Sequence, residues 1–483
     1  MHPRLCAIVA GLLTSASALT LSSAIAQTDN AGGGSTYQSS NKRDGVPDYG
    51  PMQPSNGTRR VPRTGRAANR DGAVTQSSGM EAIGPGLPVD GSPLPPAATG
   101  GQPLNDADFA DVPLDDGMPN GSYGGGCDMA PCRAPIYFRG EYLAWWLKGD
   151  STPALVTTSP DGTTRAQAGV LSQPGTSVLF GDQSLNNTMR SGARLVLGAW
   201  LDPTARIEGE WFGLSQKDTT FDASSTGSPI LARPFFNLGT GAQDSHVVAF
   251  PSQLQGSVHA SETSSFQGAG LQLTENLLCW NNCTNRHSRL DFLYGFRYLR
   301  LRDNLTINDS ATSAALAATL ATADAFATSN QFYGATMGLM SETCVDHWCF
   351  TAIGRLALGA TAEHVSIDGS TTVTPTSGTP TTSAGGLLAM PMNIGNYSHE
   401  GFTVVPQLEL KLGYDLTSNL RFTVGYDVIY WSRVARPGQQ IDTFVNTSQA
   451  SGQPLVGTPG PLFALHESDL WIQGINVGGE YRF

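Results

Sequence analysis

Residues 468–483, SDLWIQGINVGGEYRF, alternate between two faces without interruption. One face carries the apolar side chains Trp471, Ile475, Val477, Tyr481 and Phe483. The opposite face carries Gly474, Asn476, Gly478, Glu480 and Arg482. A period of two residues is typical of a β-strand with one apolar and one polar face. The end of the chain is therefore predicted to be an amphipathic strand.

The way this strand ends favours a membrane barrel over a soluble sheet. Tyr481 and Phe483 place two aromatic rings at the strand end, as in the interfacial girdles of outer-membrane barrels. Together with Gly478, they resemble the C-terminal signal that the outer-membrane insertion machinery reads. We therefore predict an outer-membrane location, with lipid and the insertion machinery as partners. The alternative is a soluble edge strand that happens to end in phenylalanine.

The composition narrows the class of protein. Charged residues make up 14% of the chain, with 56 glycines and 30 prolines, which suits strands and turns better than helical bundles. The mean hydropathy is −0.16, and past the N-terminus no run of about 18 apolar residues occurs. A strand barrel can span a membrane with such hydropathy because its polar and apolar residues alternate. The net charge of −12 argues against nucleic acid as a partner.

The N-terminal part of the chain differs from the rest. Residues 1–26 have the features of a secretory signal peptide, with Arg4 before an apolar core and a cleavage motif that ends at Ala26. Residues 27–130 are rich in Gly, Ser and Pro, so we expect a disordered periplasmic arm that could contact peptidoglycan. Residues 131–483 are assigned to the barrel.

Six cysteines remain after Cys6 leaves with the signal peptide, and export implies an oxidising compartment. They form three pairs that are close in sequence: Cys127 with Cys132, Cys279 with Cys283, and Cys344 with Cys349. We predict three local disulfides, each of which bridges a turn. A zinc site is the alternative, but the spacings do not form a doubled C-x-x-C pattern.

Amphipathic segments follow residue 135, and the connections between them are alternately short and long. Short turns include 202–204 and 417–419, whereas 217–263 and 311–328 are predicted to be long loops, the second with a short helix. This layout is typical of an outer-membrane barrel with both termini in the periplasm. The predicted fold is an all-β, antiparallel, up-and-down, membrane-spanning barrel of about ten strands. Residues 176–185 could hide two further strands, which would give about twelve.

Several blocks of the sequence resemble the family of β-barrel porins that is numbered seven. They are EYLAWWLKG at 141–149, PALVTTSP at 153–160, GARLVLGAWLD at 192–202, RIEGEWFGL at 206–214 and DFLYGFRYLRLRDNL at 291–305. The resemblance covers residues 136–483 and implies an outer-membrane barrel of unproven transport activity. The family is named for its shape, so the resemblance implies no substrate and no functional residues.

Charged residues opposite the apolar faces are predicted to line the lumen, because an Arg or Lys turned towards lipid would cost about 2–4 kcal/mol at the midplane. The lumen-lining residues are Arg139, Glu141, Arg194, Glu208, Glu210, Asp291, Arg297, Arg355, Glu409, Lys411, Arg421, Asp427 and Glu480. We predict a porin that passes small solutes or ions through a narrow charged lumen. In the alternative, Arg–carboxylate pairs fill the lumen of a closed structural or adhesive barrel.

Common catalytic and nucleotide-binding motifs do not occur in the sequence, so no catalytic, cofactor-binding or metal-binding residue is assigned. We predict that the protein is not an enzyme and has no cofactor. Three histidines near the outer loops each lie beside a glutamate: His364 beside Glu363, His399 beside Glu400, and His466 beside Glu467. Loops could bring them together as a metal or acid–base site, although scattered polar residues are the simpler interpretation.

Overall fold

The computed structural model of the protein describes residues 136–282, 286–448 and 454–483. Within these ranges the regular structure is mostly β-strand, and a short 3₁₀ helix spans Pro437–Gln440. The strands are β1 (Ile136–Leu147), β2 (Asp150–Thr158), β3 (Ser177–Leu185), β4 (Arg190–Trp200), β5 (Ala205–Leu214), β6 (Lys217–Ser225), β7 (Leu231–Asn237), β8 (Ala242–Ala249), β9 (Leu254–Asn282), β10 (Arg286–Ser313), β11 (Ala318–Val345), β12 (Trp348–Pro375), β13 (Thr381–Ala384), β14 (Gly395–Asp415), β15 (Leu420–Ala435), β16 (Phe444–Val445) and β17 (Glu467–Arg482).

Ten strands of the described chain close into one antiparallel ring, which confirms the predicted barrel. The order around the ring is β1, β4, β5, β9, β10, β11, β12, β14, β15 and β17, and β17 pairs back onto β1. Short turns such as 201–204 and 416–419 lie at one end, together with Ile136 and Phe483, whose backbone atoms are joined by a 3.0 Å hydrogen bond. This end is termed the turn end, and the opposite end is termed the loop end.

Towards the turn end, the barrel wall is apolar outside and charged inside. On β14, Leu408 and Leu410 are 48% and 36% exposed, whereas their neighbours Glu409 and Lys411 are 0% and 6% exposed. A soluble sheet would bury the leucines and expose the charges. The outward apolar surface suits contact with lipid, and it is termed the lipid-facing band.

Four strands continue well past the lipid-facing band. Strands β9 to β12 have 28 or 29 residues each, whereas a membrane-spanning strand needs about 9–11. On the outer face of β10, the exposed aromatics Tyr294 and Phe296 give way to Arg302 and Asn304 towards the loop end. The band therefore ends between these residues, and the rest of β10 faces water.

Beyond the band, the inner face of the barrel carries buried apolar side chains between its polar ones. Leu305 and Ile307 of β10, Phe326 of β11, and Val365 and Ile367 of β12 are at most 2% exposed. Because water replaces lipid outside this half, the wall can be polar outside and apolar inside, like that of a soluble protein. The outer face of a strand such as β10 thus changes from apolar to polar along its length, while the inner face stays buried.

A second sheet, made of β2, β3, β7, β8 and β16, fills the half of the barrel beyond the band. Arg233 of β7 is 0% exposed and donates hydrogen bonds to Asp309 of β10 (2.8 Å) and Asp324 of β11 (2.5 Å). The inner sheet is therefore held against the barrel wall from inside. Residues 176–185 do form a strand, β3, but it belongs to the inner sheet, so the alternative of a twelve-stranded wall is wrong.

Two loop predictions are also wrong. Residues 217–263 contain β6, β7, β8 and the start of β9. Residues 311–328 contain the end of β10 and the start of β11 rather than a short helix. Outside the lipid a strand needs no large apolar residue on its outer face, so Ala-, Ser- and Thr-rich stretches can pair. Ser313 lies opposite Ala318, directly at the tip of this hairpin.

The disulfide predictions are covered only in part by the described residues. Cys344 and Cys349 form a disulfide across the β11–β12 turn, with their Cα atoms 4.0 Å apart. Cys127, Cys132 and Cys283 lie outside the described residues, as do the predicted signal peptide and the predicted periplasmic arm. Among the described residues, no helix is long and apolar enough to cross a membrane.

The position of the band can be tested with one arginine. Leu410→Arg should destabilise the barrel by about 2–4 kcal/mol, because it turns a cation towards lipid. Asn304→Arg, on the outer face of β10 beyond the band, should leave the stability unchanged. Urea titration of the protein folded in lipid vesicles, followed by tryptophan fluorescence, measures both variants. Equal losses of stability would contradict the assigned band.

Candidate functional site

The lumen is the candidate site, and the thirteen predicted lumen residues lie on the inner face of the wall. Ten of them are at most 9% exposed, and the others, Arg139, Glu210 and Glu480, are partly exposed. Glu210 shares its face of β5 with the buried residues Glu208 and Phe212. Such burial means that most of these charges belong to a packed interior rather than to the wall of a water-filled channel.

Arg194 crosses the lumen. It projects from β4, and its guanidinium contacts Glu141 of β1 (3.3 Å), Glu409 of β14 (2.9 Å) and Asp427 of β15. Strands β4 and β14 are four positions apart in a ring of ten, so they face each other almost across the barrel. Arg194 therefore ties opposite walls together through charge-assisted hydrogen bonds.

Two further cations complete this charged layer. Lys411 contacts Glu141 (2.9 Å) and also Glu409, and Arg355 of β12 donates to Glu409 at 2.8 Å. Each of these carboxylates thus has more than one cationic partner. A buried carboxylate is tolerated only when it is paired in this way, because the loss of hydration must be offset.

An apolar layer lies directly on the loop-end side of the charged layer. Nine of the ten wall strands contribute to it, and its residues are at most 9% exposed: Leu143, Trp145, Leu147, Phe212, Leu214, Phe266, Leu299, Leu301, Phe332, Ala357, Val405, Ile429, Trp431, Val434, Leu470 and Ile472. The ring centroids of Trp145 and Phe212 are 5.4 Å apart, and those of Phe332 and Trp431 are 6.2 Å apart. These side chains form one packed apolar cluster in the barrel interior.

One residue pair connects the two layers. Trp145 donates its indole N–H to Asn476 at 2.8 Å, and Asn476 donates to Asp427 at 2.5 Å. The Arg194 guanidinium also lies 5.4 Å from the Trp145 ring centroid, within the range of a cation–π contact. The aromatic ring and the ion network therefore hold each other in position.

A cavity of about 380 Å³ lies on the turn-end side of the charged layer. Seven cationic side chains line it: Arg139, Arg206, Arg289, Arg355, Lys411, Arg421 and Arg482. Four acidic side chains also line it: Glu208, Glu342, Asp415 and Glu480. Several of these charges are paired, as Arg421 is with Asp415 at 2.7 Å. The cavity is thus a polar vestibule at the turn end of the barrel.

A second polar layer lies beyond the apolar layer, outside the lipid-facing band. Arg436 contacts Asp303 at 2.7 Å and Glu262 at 3.9 Å, and the Gly438 N–H donates to Asp150 at 2.7 Å. Burial and the charge of Asp150 raise the pKa of Glu262 to about 9. Glu262 is therefore protonated at neutral pH inside the folded protein.

Beside this layer, Glu363 of β12, His399 of β14 and Glu467 of β17 come together. This group is termed the shoulder cluster, because β15 and β17 end here while β12 continues. His399 Nδ1 lies 3.3 Å from Glu363 and 3.4 Å from Glu467. Burial and the adjacent Glu467 raise the pKa of Glu363 to about 8.

The idea that the three loop histidines converge is wrong for two of them. His364 is exposed on the outer face of β12, where it is bonded to Ser398 at 2.9 Å. His466 is joined to Gln440 through its backbone. Only His399 reaches a pair of carboxylates. A second group, His287, Glu342 and Cys344, includes a cysteine that is oxidised to a disulfide, so no thiolate is present there.

Comparison with known proteins places the chain in a family. The family model described as "Putative beta barrel porin-7 (BBP7)" matches residues 137–483. The chain belongs to this family. The BBP7 barrel is therefore an outer-membrane β-barrel that contacts lipid. No curated protein matches the chain.

Solved outer-membrane barrels resemble the BBP7 barrel in fold. The outer membrane protease OmpT of Escherichia coli is 8% identical, with a TM-score of 0.36, over 74% of this chain and 99% of that chain. The Pseudomonas putida toluene transporter TodX is 8% identical, with a TM-score of 0.16, over 73% and 91%. The channel DcaP of Acinetobacter baumannii is 7% identical, with a TM-score of 0.14, over 73% and 99%. At such values these proteins carry no argument about activity.

The second polar layer of the BBP7 barrel is absent from the sequence-based predictions. Asp303 continues the odd-numbered inner face of Asp291 and Arg297 on β10, so strand parity alone could have identified it. Glu262 and Arg233 lie in a stretch that was predicted to be a loop, and no alternation with large apolar residues marks them. Arg436 follows the end of β15 and reaches the lumen only in the folded protein.

The charged layer of the BBP7 barrel can be tested by removing its central cation. Arg194→Ala should destabilise the barrel by about 3–5 kcal/mol, because it leaves buried carboxylates without their partner. Arg302→Ala, on the exposed outer face of β10, serves as the control and should have little effect. Urea unfolding from lipid vesicles measures both. A small loss for Arg194→Ala would show that the network does not depend on this residue.

The protonated Glu262 predicts a dependence of stability on pH. Its pKa is raised above the ordinary value of 4.5, so its contribution to stability is present at low pH and is lost as the pH rises towards about 9. Glu262→Gln cannot titrate. The difference in melting temperature between this variant and the parent should therefore grow in favour of the variant from pH 5 to pH 9. Parallel pH profiles, measured by heat-dependent gel mobility, would contradict the assignment.

Proposed function

We propose that this BBP7 protein is a closed outer-membrane barrel that carries a folded module outside the membrane. In this proposal the barrel interior is a protein core rather than a diffusion channel. The inner sheet and the long strands β9 to β12 form the external module, and the module presents polar outer faces to water. The protein is not an enzyme in this proposal.

The apolar layer is the observation that carries the proposal. Trp145, Phe266, Phe332 and Trp431 are each at most 1% exposed, and they come from strands on different sides of the ring. A hydrated ion or polar solute would have to lose its water to pass between them, which is strongly unfavourable. Packed aromatic rings therefore support a closed resting state.

The charged layer supports the same conclusion. Arg194 contacts three carboxylates that come from different wall strands. A solute on its way through the lumen would have to separate these pairs, and the loss of one partner of a buried pair costs about 3–5 kcal/mol. Two successive barriers of different chemistry thus oppose passage.

Solute passage, which the sequence analysis favoured, stays a prediction. The turn-end cavity supports it in part, since a volume of about 380 Å³ could hold a small solute. The inner end of this cavity, however, is lined by Arg355 and Lys411 of the charged layer. Passage would require a rearrangement of both layers, and a closed barrel requires none.

Two further partners are proposed from the sequence. Tyr481 and Phe483, 46% and 64% exposed at the turn end, suit recognition by the insertion machinery, and their ring centroids are 5.1 Å apart. Peptidoglycan is the partner proposed for residues 27–130, which precede β1 in the sequence.

Planar-bilayer recording tests the closed state. The purified parent protein should give no discrete conductance steps. A triple variant, Arg194→Ala with Phe332→Ala and Trp431→Ala, should leak, because it removes side chains from both layers. The matched control, Arg302→Ala with Tyr333→Ala and Trp471→Ala, removes similar side chains from the outer face and should be silent.

The fold of every variant is checked by near-ultraviolet circular dichroism before recording. Reproducible conductance steps in the parent protein would overturn the closed-barrel proposal and favour the solute channel. A silent inner triple variant with a native spectrum would show that the two layers are not the barrier.

A further inference from the structure

The shoulder cluster lies outside the proposed lumen core, and neither layer uses it. Its three side chains come from β12, β14 and β17, and their potential ligand atoms all lie within 4.8 Å of one another. We propose that the shoulder cluster binds one divalent transition-metal ion, with zinc as the best fit, through Glu363, His399 and Glu467.

The distances suit a tetrahedral metal. His399 Nδ1 is 3.3 Å from Glu363 Oε2 and 3.4 Å from Glu467 Oε1. Ligand atoms that lie about 2.0–2.2 Å from zinc in a tetrahedron are separated by about 3.3–3.5 Å from one another. Two of the three distances between ligand atoms therefore match a tetrahedral site, and the third is at most 4.8 Å.

The carboxylates of the cluster have few polar contacts. The Glu363 side chain is 0% exposed and its Oε1 has no hydrogen-bond partner among the described residues, whereas Glu467 Oε1 has His399 Nδ1 at 3.4 Å. A buried carboxylate oxygen without a donor is costly. A cation bound between the two carboxylates would give the buried Glu363 a charged partner.

Arg433 holds one ligand in position. Its Nε lies 2.6 Å from Glu467 Oε2, the oxygen that faces away from His399. The guanidinium fits against β14 at Gly401, where a Cβ atom would lie 2.2 Å from Arg433 Nη1. Outer partners of this kind orient ligating carboxylates in metal sites. The absence of a side chain at Gly401 thus leaves room for Arg433, which orients Glu467.

The donor set selects the class of metal. One imidazole nitrogen with two carboxylate oxygens suits zinc and similar transition metals, whereas calcium and magnesium prefer sites made only of oxygen. The His399 side chain is 44% exposed, so an ion can enter from the external medium. A water molecule would complete the four-coordinate shell, as in zinc sites with three protein ligands.

The metal would cross-link the wall at a position where backbone pairing between two strands is interrupted. Backbone pairing between β14 and β15 stops at Gln407 and Ile429, although β14 continues to Gly395 on the loop-end side. Beyond that point, the Val404 N–H donates to the Ser432 hydroxyl at 3.1 Å. A metal held by Glu363, His399 and Glu467 would join β12, β14 and β17 across this gap.

The test uses untagged, full-length protein that is stripped of metal and held in detergent. Isothermal titration with Zn²⁺ should give one equivalent of binding, and Ca²⁺ should give none. Co²⁺ should produce the visible absorption bands of a tetrahedral site. His399→Ala and Glu467→Gln should each weaken Zn²⁺ binding by about 100-fold or more, since each removes a ligand.

His364→Ala is the matched control, because it removes a neighbouring histidine that points outward and is bonded to Ser398. It should bind Zn²⁺ like the parent protein. Two variants are used so that the test survives if one of them fails to fold. Absence of Zn²⁺ and Co²⁺ binding by the folded parent would overturn the proposal, as would parent-like binding by a folded His399→Ala variant.

Discussion

Lipid on the outside of the wall is the constraint on which the rest of the structure depends. It requires Leu408 and Leu410 to face outward, and the alternation of the strand then turns Glu409 and Lys411 inward. Charges in such a narrow interior lose much of their hydration, and most of them pair with one another. Arg194 meets that need by reaching three carboxylates from other strands.

Outside the membrane this constraint no longer applies, and the outer faces of the same strands become polar. The outer face of β10 changes from Tyr294 and Phe296 to Arg302 and Asn304, and the connecting segments fold inward as a second sheet. The outer half is therefore built like a soluble protein on top of a membrane barrel. Packed interiors in both halves support the proposed closed lumen.

The ten wall strands have unequal lengths, and this creates the shoulder. Strands β15 and β17 end near the membrane surface while β9 to β12 continue, so a step is left in the wall. Side chains at such a step are partly buried and partly accessible, and this is the environment in which His399 meets two carboxylates. A metal at this point would link the strands of the wall where backbone hydrogen bonds no longer link them.

The amino-acid sequence by itself determined the strand alternation near the lipid, the approximate number of wall strands, and which charges face inward, because a side-chain period of two is a local property. It could not define the outer half, where Ala-, Ser- and Thr-rich strands lack a large apolar face and were mistaken for loops. Only the tertiary structure decided which charges meet, since Arg194 and Glu409 are 215 residues apart and come together through ring closure. Tertiary structure also decided that Glu363, His399 and Glu467 form one cluster, because strand register and strand length set which side chains share a level.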